Sequence, residues 1–195
     1  MIHPTAEIEE GASIGPGTRV WNYVHIRSGA VVGAGCNLGY SVYIDRDAVI
    51  GDRVKLQNRV SVYRGVTLED GVFVGPHTSF TNDKYPRAIA PDGRALDDDD
   101  WDAIETRVRE GASIGAGCVV LAGVTVGCWA MVGAGSVVTE DVPDQGLVVG
   151  SPARLVGYVC LCGHPLAADE GGWTCPSCHQ TYVLPALPSS QPVTA

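Results

Sequence analysis

Apolar side chains, all but the last aliphatic, recur at every sixth position from the start of the chain: Ile2, Ile8, Ile14, Val20, Ile26, Val32, Leu38, Ile44, Ile50, Leu56, Val62, Leu68, Val74 and Phe80. None is polar. Four residues after them runs a second column of small or β-branched residues, among them Ala6, Ala12, Thr18, Val24, Ala30, Cys36, Val42, Ala48 and Thr78. The period returns with Val108, Ile114, Val120, Val126, Val132 and Val138, making about twenty hexads. A short strand of about six residues with a turn lays one flat face of a prism, and three such faces complete a coil of about 18 residues. The large column then fills the interior, and the small column sits where the chain bends. Gly11, Gly15, Gly29, Gly33, Gly35, Gly39, Gly51, Gly65, Gly71 and Gly75 are read as the permissive turn residues. An ordinary β-sandwich does not keep one integer period for so long.

Phe80 and Val108 are 28 steps apart, which is not a multiple of six, so a segment of about 81–107 must leave the coil. It carries Thr81-Asn82-Asp83-Lys84-Tyr85-Pro86-Arg87, the turn Pro91-Asp92-Gly93, and the acidic run Asp97 to Asp100 before Trp101. An excursion from a rigid scaffold is where function gathers, although a solvated loop is the plainer reading.

Composition narrows the picture. A content of 25 Gly and 2 Phe in 195 residues suits many short strands and turns rather than a helical bundle. A net charge of −9 argues against a nucleic-acid footprint. The start has no basic segment followed by an apolar one, and no uncharged apolar run approaches 18 residues. These features predict a cytoplasmic protein without membrane insertion.

Of 7 cysteines, Cys160, Cys162, Cys175 and Cys178 cluster near the end with metal-like spacing, 12 residues separating the pairs. They read as a two-knuckle zinc ribbon at 158–183, its zinc structural and its last residues, 184–195, a disordered tail. One residue rather than two between Cys160 and Cys162 leaves His164 or His179 open as a substitute ligand. Cys36, Cys118 and Cys128 are read as packing residues of the repeat.

The hexads Ile14-Gly15-Pro16-Gly17-Thr18-Arg19 and Val132-Gly133-Ala134-Gly135-Ser136-Val137 resemble the left-handed β-helix acyltransferases. That resemblance implies an all-β, left-handed parallel β-helix of hexapeptide repeats over 1–157, with one extruded loop and the small C-terminal zinc ribbon. A narrower likeness, to N-acetyltransferases of nucleotide-linked 3-amino sugars in surface-polysaccharide synthesis, rests on further stretches. They are Ile2-His3-Pro4-Thr5-Ala6, Val20 to Ile26, Gln57-Asn58, Val60 to Tyr63, Phe80-Thr81-Asn82 with Pro86-Arg87, and Gly150 to Arg154. Tyr40-Ser41 and Ala88 depart from the members that act on a UDP-linked amino uronate.

The resemblance implies a homotrimer that moves acetyl from acetyl-CoA to the amine of a UDP- or dTDP-linked amino sugar. Asn82 would stand beside that amine; an amide can orient it but cannot take its proton. His77 is the rival, as a general base. His25, Tyr63 and Arg87 are candidate substrate contacts, Arg87 through a bidentate hold on diphosphate or carboxylate. Trp21 and Tyr23 are read as packing between subunits rather than stacking on a base. CoA would lie along the C-terminal coils in a cleft shared by two subunits, touching Ala122, Gly123, Ala134, Pro152 and Arg154. Two other functions stand beside this one. A γ-type carbonic anhydrase needs three inter-subunit histidines, but His25 and His77 are 52 apart, off the 18-residue pitch. A non-enzymatic scaffold docking through its zinc ribbon is the remaining alternative.

Overall fold

The computed structural model describes residues 1–97, 100–169 and 172–187. Among them there is no helix, and so none long and apolar enough to cross a membrane. The chain is a parallel β-solenoid of about eight turns. Its first face stacks seven strands from Glu7–Ile8 and His25–Ile26 through Ser79–Phe80 to Val137–Val138. The second stacks six from Ser13–Ile14 to Thr125–Val126, and the third eight from Arg19–Val20 to Arg154–Tyr158.

Most strands are only two residues long, because each hexad spends its other positions turning the corner. Partners lie 18 residues apart, as in Ile26↔Ile44 and Val32↔Ile50. Each outward residue donates its amide to the coil above, for instance Glu7 to Val24 at 2.8 Å and His25 to Val42 at 2.9 Å. The inward member of each pair fills the axis: Val20, Ile26, Leu38, Ile44, Ile50, Leu56, Leu68 and Phe80 are fully buried. Burying each such side chain contributes about 1.5–3 kcal/mol. The corner column stays small because polar members there bond inward: Thr78 Oγ1 donates to Gly115 at 2.8 Å and Cys118 Sγ to Gly133 at 3.2 Å.

The glycines divide into two kinds. Gly11, Gly29, Gly35, Gly65 and Gly71 have positive φ. The other five of the ten singled out do not; they are needed because neighbouring coils touch there. A Cβ on Gly75 would stand 2.5 Å from the Ala116 nitrogen. Several left-handed corners are instead held by Tyr23, Ser41, Arg59 and His77, all with φ near +60°, a conformation that costs about 1–2 kcal/mol per non-glycine residue.

Across the interruption the pitch jumps from 18 to 40, as Val62↔Phe80 is followed by Phe80↔Val120, so 22 residues are extruded at the corner between the first and second faces. The neck closes where Ile104 donates its amide to the Asn82 carbonyl at 3.0 Å. At the far end Gly146–Val149 is covered by the antiparallel Arg154–Tyr158, which ends the parallel stack. A three-stranded antiparallel sheet follows, Ala167–Asp169, Gly172–Thr174 and Thr181–Tyr182. Its own core joins Tyr158, Leu166, Trp173 and Cys175, with Tyr182 and Leu184 packed on it. Leu184 is therefore in contact with the module; of the expected disordered tail, 188–195 lie outside the described residues.

Candidate functional site

Asn82 sits at the mouth of the extruded loop, in a depression of about 90 Å³ that it shares with Arg27, Asp45, Arg46, Arg64 and Trp101. The 18-residue pitch makes these neighbours: Arg27 and Asp45 are one coil apart at the same corner, as are Arg46 and Arg64. Three guanidinium groups against one carboxylate give this spot a positive balance on an otherwise acidic chain. Asp45 is fully engaged. It accepts from the Tyr43 hydroxyl at 3.0 Å, the Arg46 amide at 2.8 Å, the Arg64 amide at 3.3 Å and Arg27 at 3.5 Å. With four donors on its oxygens, this carboxylate clamps the corner together. Arg27 is held raised, first by the Tyr43 hydroxyl and then by Glu9. The Arg64 guanidinium lies 5.1 Å from the Trp101 ring centroid, a cation–π contact that ties the returning limb of the loop to the solenoid.

Beside the depression an aromatic ladder climbs the first face. His25 meets Tyr43 edge-on at 5.6 Å, and Tyr43 meets Tyr63 at 5.6 Å. His25 Nε2 is 2.9 Å from Glu9, which also accepts from Arg27 at 3.0 Å. The Ser28 amide, His25 and Arg27 together hold the Glu9 carboxyl below its usual range. His25 and Tyr63, expected from sequence, thus belong to one surface with Asn82. Arg87 stands elsewhere, on the exposed part of the loop, where its guanidinium donates to the Pro86 carbonyl at 3.1 Å; the acidic run is met instead by Arg94, bonded twice to Asp100 at 2.7 Å. His77 is exposed at the opposite corner of the first face, its amide on the Asn58 carbonyl at 3.0 Å. The strand Ser79–Phe80 lies between it and Asn82, and His77 is not among the residues lining the Asn82 depression.

Ala122 and Gly123 lie at the corner from which the loop departs, one coil above Asn82. Their amides are already bonded, to Thr81 Oγ1 at 3.0 Å and Thr106 Oγ1 at 3.1 Å. Ala134 is exposed at the other edge of the first face. Pro152, after a cis peptide, lies in the turn before the capping strand and Arg154 opens that strand, donating to the Ala153 carbonyl at 3.0 Å. The five candidate CoA contacts therefore occupy two corners and the cap, not a single groove.

The Sγ atoms of Cys160, Cys162, Cys175 and Cys178 lie within 4.8 Å of one another. Cys160 and Cys178 are 3.4 Å apart and Cys162 and Cys175 3.6 Å, as free thiols. A zinc ion with sulfur ligands at about 2.3 Å sets its tetrahedral sulfurs about 3.8 Å apart, so the four can hold a metal. His164 approaches Cys162 at 3.5 Å but is not among the four converging groups. Tyr182, through its hydroxyl 3.1 Å away, leads the effects that lower the Cys160 thiol to about 6.

What sequence reasoning missed is the set Arg27, Tyr43, Asp45, Arg46 and Arg64. The signal was present in their 18-residue spacing, but it acquires meaning only once the loop is known to leave from that corner.

Residues 11–46 match the model of the bacterial transferase hexapeptide family, six repeats. Over 77 residues the chain is 51% identical to dTDP-3-amino-3,6-dideoxy-alpha-D-galactopyranose 3-N-acetyltransferase of Aneurinibacillus thermoaerophilus, a match covering 40% of each chain. It is 36% identical over 97 residues to serine acetyltransferase of Escherichia coli (strain K12), 48% of this chain and 34% of that one. Among solved structures, a histidine-to-alanine mutant of GDP-perosamine N-acetyl transferase from Caulobacter crescentus, in complex with CoA and GDP-perosamine, aligns with a TM-score of 0.53 and 26% identity. That alignment covers 80% of this chain and 55% of the other. The chain thus spans less than two thirds of the length of each of these relatives.

Proposed function

We propose that the protein is an N-acetyltransferase that moves acetyl from acetyl-CoA to the amine of a UDP- or dTDP-linked amino sugar. The observation that carries this reading is Asn82 at the neck of the loop, inside a depression lined by Arg27, Arg46 and Arg64. An amide to orient an amine, next to guanidinium groups suited to a diphosphate, is the combination a nucleotide amino sugar requires. The 51% identity to a dTDP-amino-sugar N-acetyltransferase and the likeness to a GDP-perosamine N-acetyl transferase holding CoA support the same chemistry.

In this reaction the neutral amine attacks the thioester carbonyl, a carbon–nitrogen bond forms and the carbon–sulfur bond breaks. The Asn82 carbonyl oxygen accepts one amine N–H and aims the lone pair; holding the two reactants together accounts for most of the acceleration. The ammonium proton passes to the departing CoA thiolate or to water, so no side-chain base is required. His77, an extended strand away from Asn82 within its own chain, is assigned no proton. Acetyl-CoA lies along Ala122, Gly123 and Ala134 with Pro152 and Arg154 towards its nucleotide end. Because those residues occupy two corners and the cap, a neighbouring column in a homotrimer completes the cleft. Arg87, His25 and Tyr63 line the approach of the sugar. Zinc on the four cysteines would organise the module at 158–183 and supply no step of the transfer.

The test is release of free CoA thiol from acetyl-CoA with a panel of UDP-, dTDP- and GDP-linked amino sugars. Turnover on a pyrimidine nucleotide sugar is expected. A protein that turns over no sugar, yet still binds partner proteins through its cysteine module, would instead be a scaffold.

A further inference from the structure

A second concavity, of about 200 Å³, lies at the corner between the third and first faces, the edge of the first face opposite Asn82. Its walls are amides and aromatic rings: Asn22, Asn37, Gln57 and Asn58 with Trp21 and Tyr40. Nothing in the transfer step uses them.

Two of these amides are fixed in orientation. The Trp21 indole N–H donates to Asn37 Oδ1 at 3.0 Å, which leaves the Asn37 amino group for a ligand. The Tyr40 backbone N–H donates to Asn58 Oδ1 at 3.0 Å, which leaves the Asn58 amino group in the same way. Neither amide can flip without setting donor against donor. Gln57, also in the lining, shows no side-chain hydrogen bond among the described residues and can turn its carbonyl to accept. Asn22 is engaged through its Nδ2, 3.2 Å from His3 Nε2, so beside that amide the site offers two fixed donors and one adjustable acceptor. Trp21, 40% exposed, adds a ring face on which a flat heterocycle can stack, whereas the Tyr40 ring already has the Arg59 guanidinium over it at 5.8 Å and closes the wall of the pocket.

The complement of two donors and an acceptor is a planar group with two carbonyls flanking one N–H. We propose that this pocket reads the imide edge of a uracil or thymine base, with Asn37 and Asn58 donating to its two carbonyl oxygens and Gln57 accepting its N–H. The inference rests on the nucleotide-sugar reading above and adds to it which residues choose the base. Trp21 then stacks on a ligand rather than serving only as a subunit contact. Cytosine presents an amino group and a bare ring nitrogen in place of one carbonyl and the N–H, and guanine is a larger ring with its own donors; both mismatch the fixed pair.

Calorimetric titration of the full chain with UMP, TMP, CMP and GMP tests this. UMP and TMP are expected to bind at least about tenfold more tightly than CMP or GMP, since a bidentate match discriminates by about 1–3 kcal/mol. Asn58→Asp keeps the oxygen that accepts from Tyr40 but replaces the donor with an acceptor. It is expected to weaken UMP and to shift the UMP-to-CMP ratio towards CMP, whose amino group can donate to the new carboxylate. A general charge repulsion would weaken both nucleotides and leave that ratio unmoved. Equal binding of all four nucleotides, or an unchanged ratio in Asn58→Asp and Asn37→Asp variants whose thermal melting matches the parent, would overturn the assignment. If a UDP- or dTDP-amino sugar is acetylated while the ratio stays flat, the pocket assignment fails and the transferase reading stands. If the ratio shifts but no amino sugar is acetylated, the reverse holds.

Discussion

In the proposed reaction Asn82 is the residue beside the amine, a role that the sequence offered through its resemblance to nucleotide amino-sugar N-acetyltransferases, at the point where the hexad period breaks. Its surroundings were less legible. The repeat tells which side chains point inward, but outward residues share a corner only through the 18-residue pitch, so Asp45, Arg46 and Arg64 surfaced only when stacked. Three substitutions separate roles here. Asn82→Ala should lower kcat/KM by about 10²-fold or more, the scale of removing one oriented polar contact from a transition state. His77→Ala should leave it within a factor of a few; a loss of 10²–10⁴ in its place would restore His77 as a general base. Arg64→Gln should raise KM for the nucleotide sugar about tenfold or more with a smaller effect on kcat, because a charge-assisted bond is lost to substrate and transition state alike. Glu9 offers a test by pH. Its folded carboxyl is held below the ordinary 4.5, so its contribution to stability is complete above that value and is lost as the pH falls through the lowered one. Glu9→Gln should flatten the acid limb of a denaturation profile.

At the scale of elements, the loop and the cysteine module are the two departures from the repeat, and both were located from the sequence by simple arithmetic. What arithmetic did not supply was the place of the loop in three dimensions. The 28 steps show that a segment leaves, whereas the jump of pitch from 18 to 40 fixes its corner and its extruded length of 22. Removing residues 83–104 makes Val108 the sixth residue after Phe80 again. That deletion should keep the β-rich circular dichroism and cooperative melting of the parent while abolishing acetyl transfer; failure to fold would mean that the loop is part of the solenoid's own packing. The module should carry one zinc per chain by elemental analysis. Chelation or Cys175→Ser is expected to open 160–184 to limited proteolysis while the solenoid stays resistant, since the small core of Tyr158, Leu166 and Trp173 is too little to hold without a staple.

The whole molecule was the most legible level, because a column of inward aliphatic side chains at a single period admits few architectures. Fully buried residues from Val20 to Val138 form one continuous axis, and truncating a central member such as Leu56→Ala should cost about 2–5 kcal/mol in chemical denaturation. The less legible part was the corners. Ten glycines were read as turn residues, yet Tyr23, Ser41, Arg59 and His77 adopt left-handed φ along one edge, because stacking on the coils above and below outweighs the local cost. That same edge carries the amide pocket, so the first face has a base-sized site on one side and the Asn82 depression on the other. The measurement that bears most directly on this arrangement is a crystal structure with CoA and a pyrimidine nucleotide amino sugar bound together. The sugar nitrogen is expected within hydrogen-bond distance of Asn82 Oδ1, with the diphosphate against Arg46 and Arg64. A sugar nitrogen seated on a histidine, or a nucleotide bound away from this face, would contradict it.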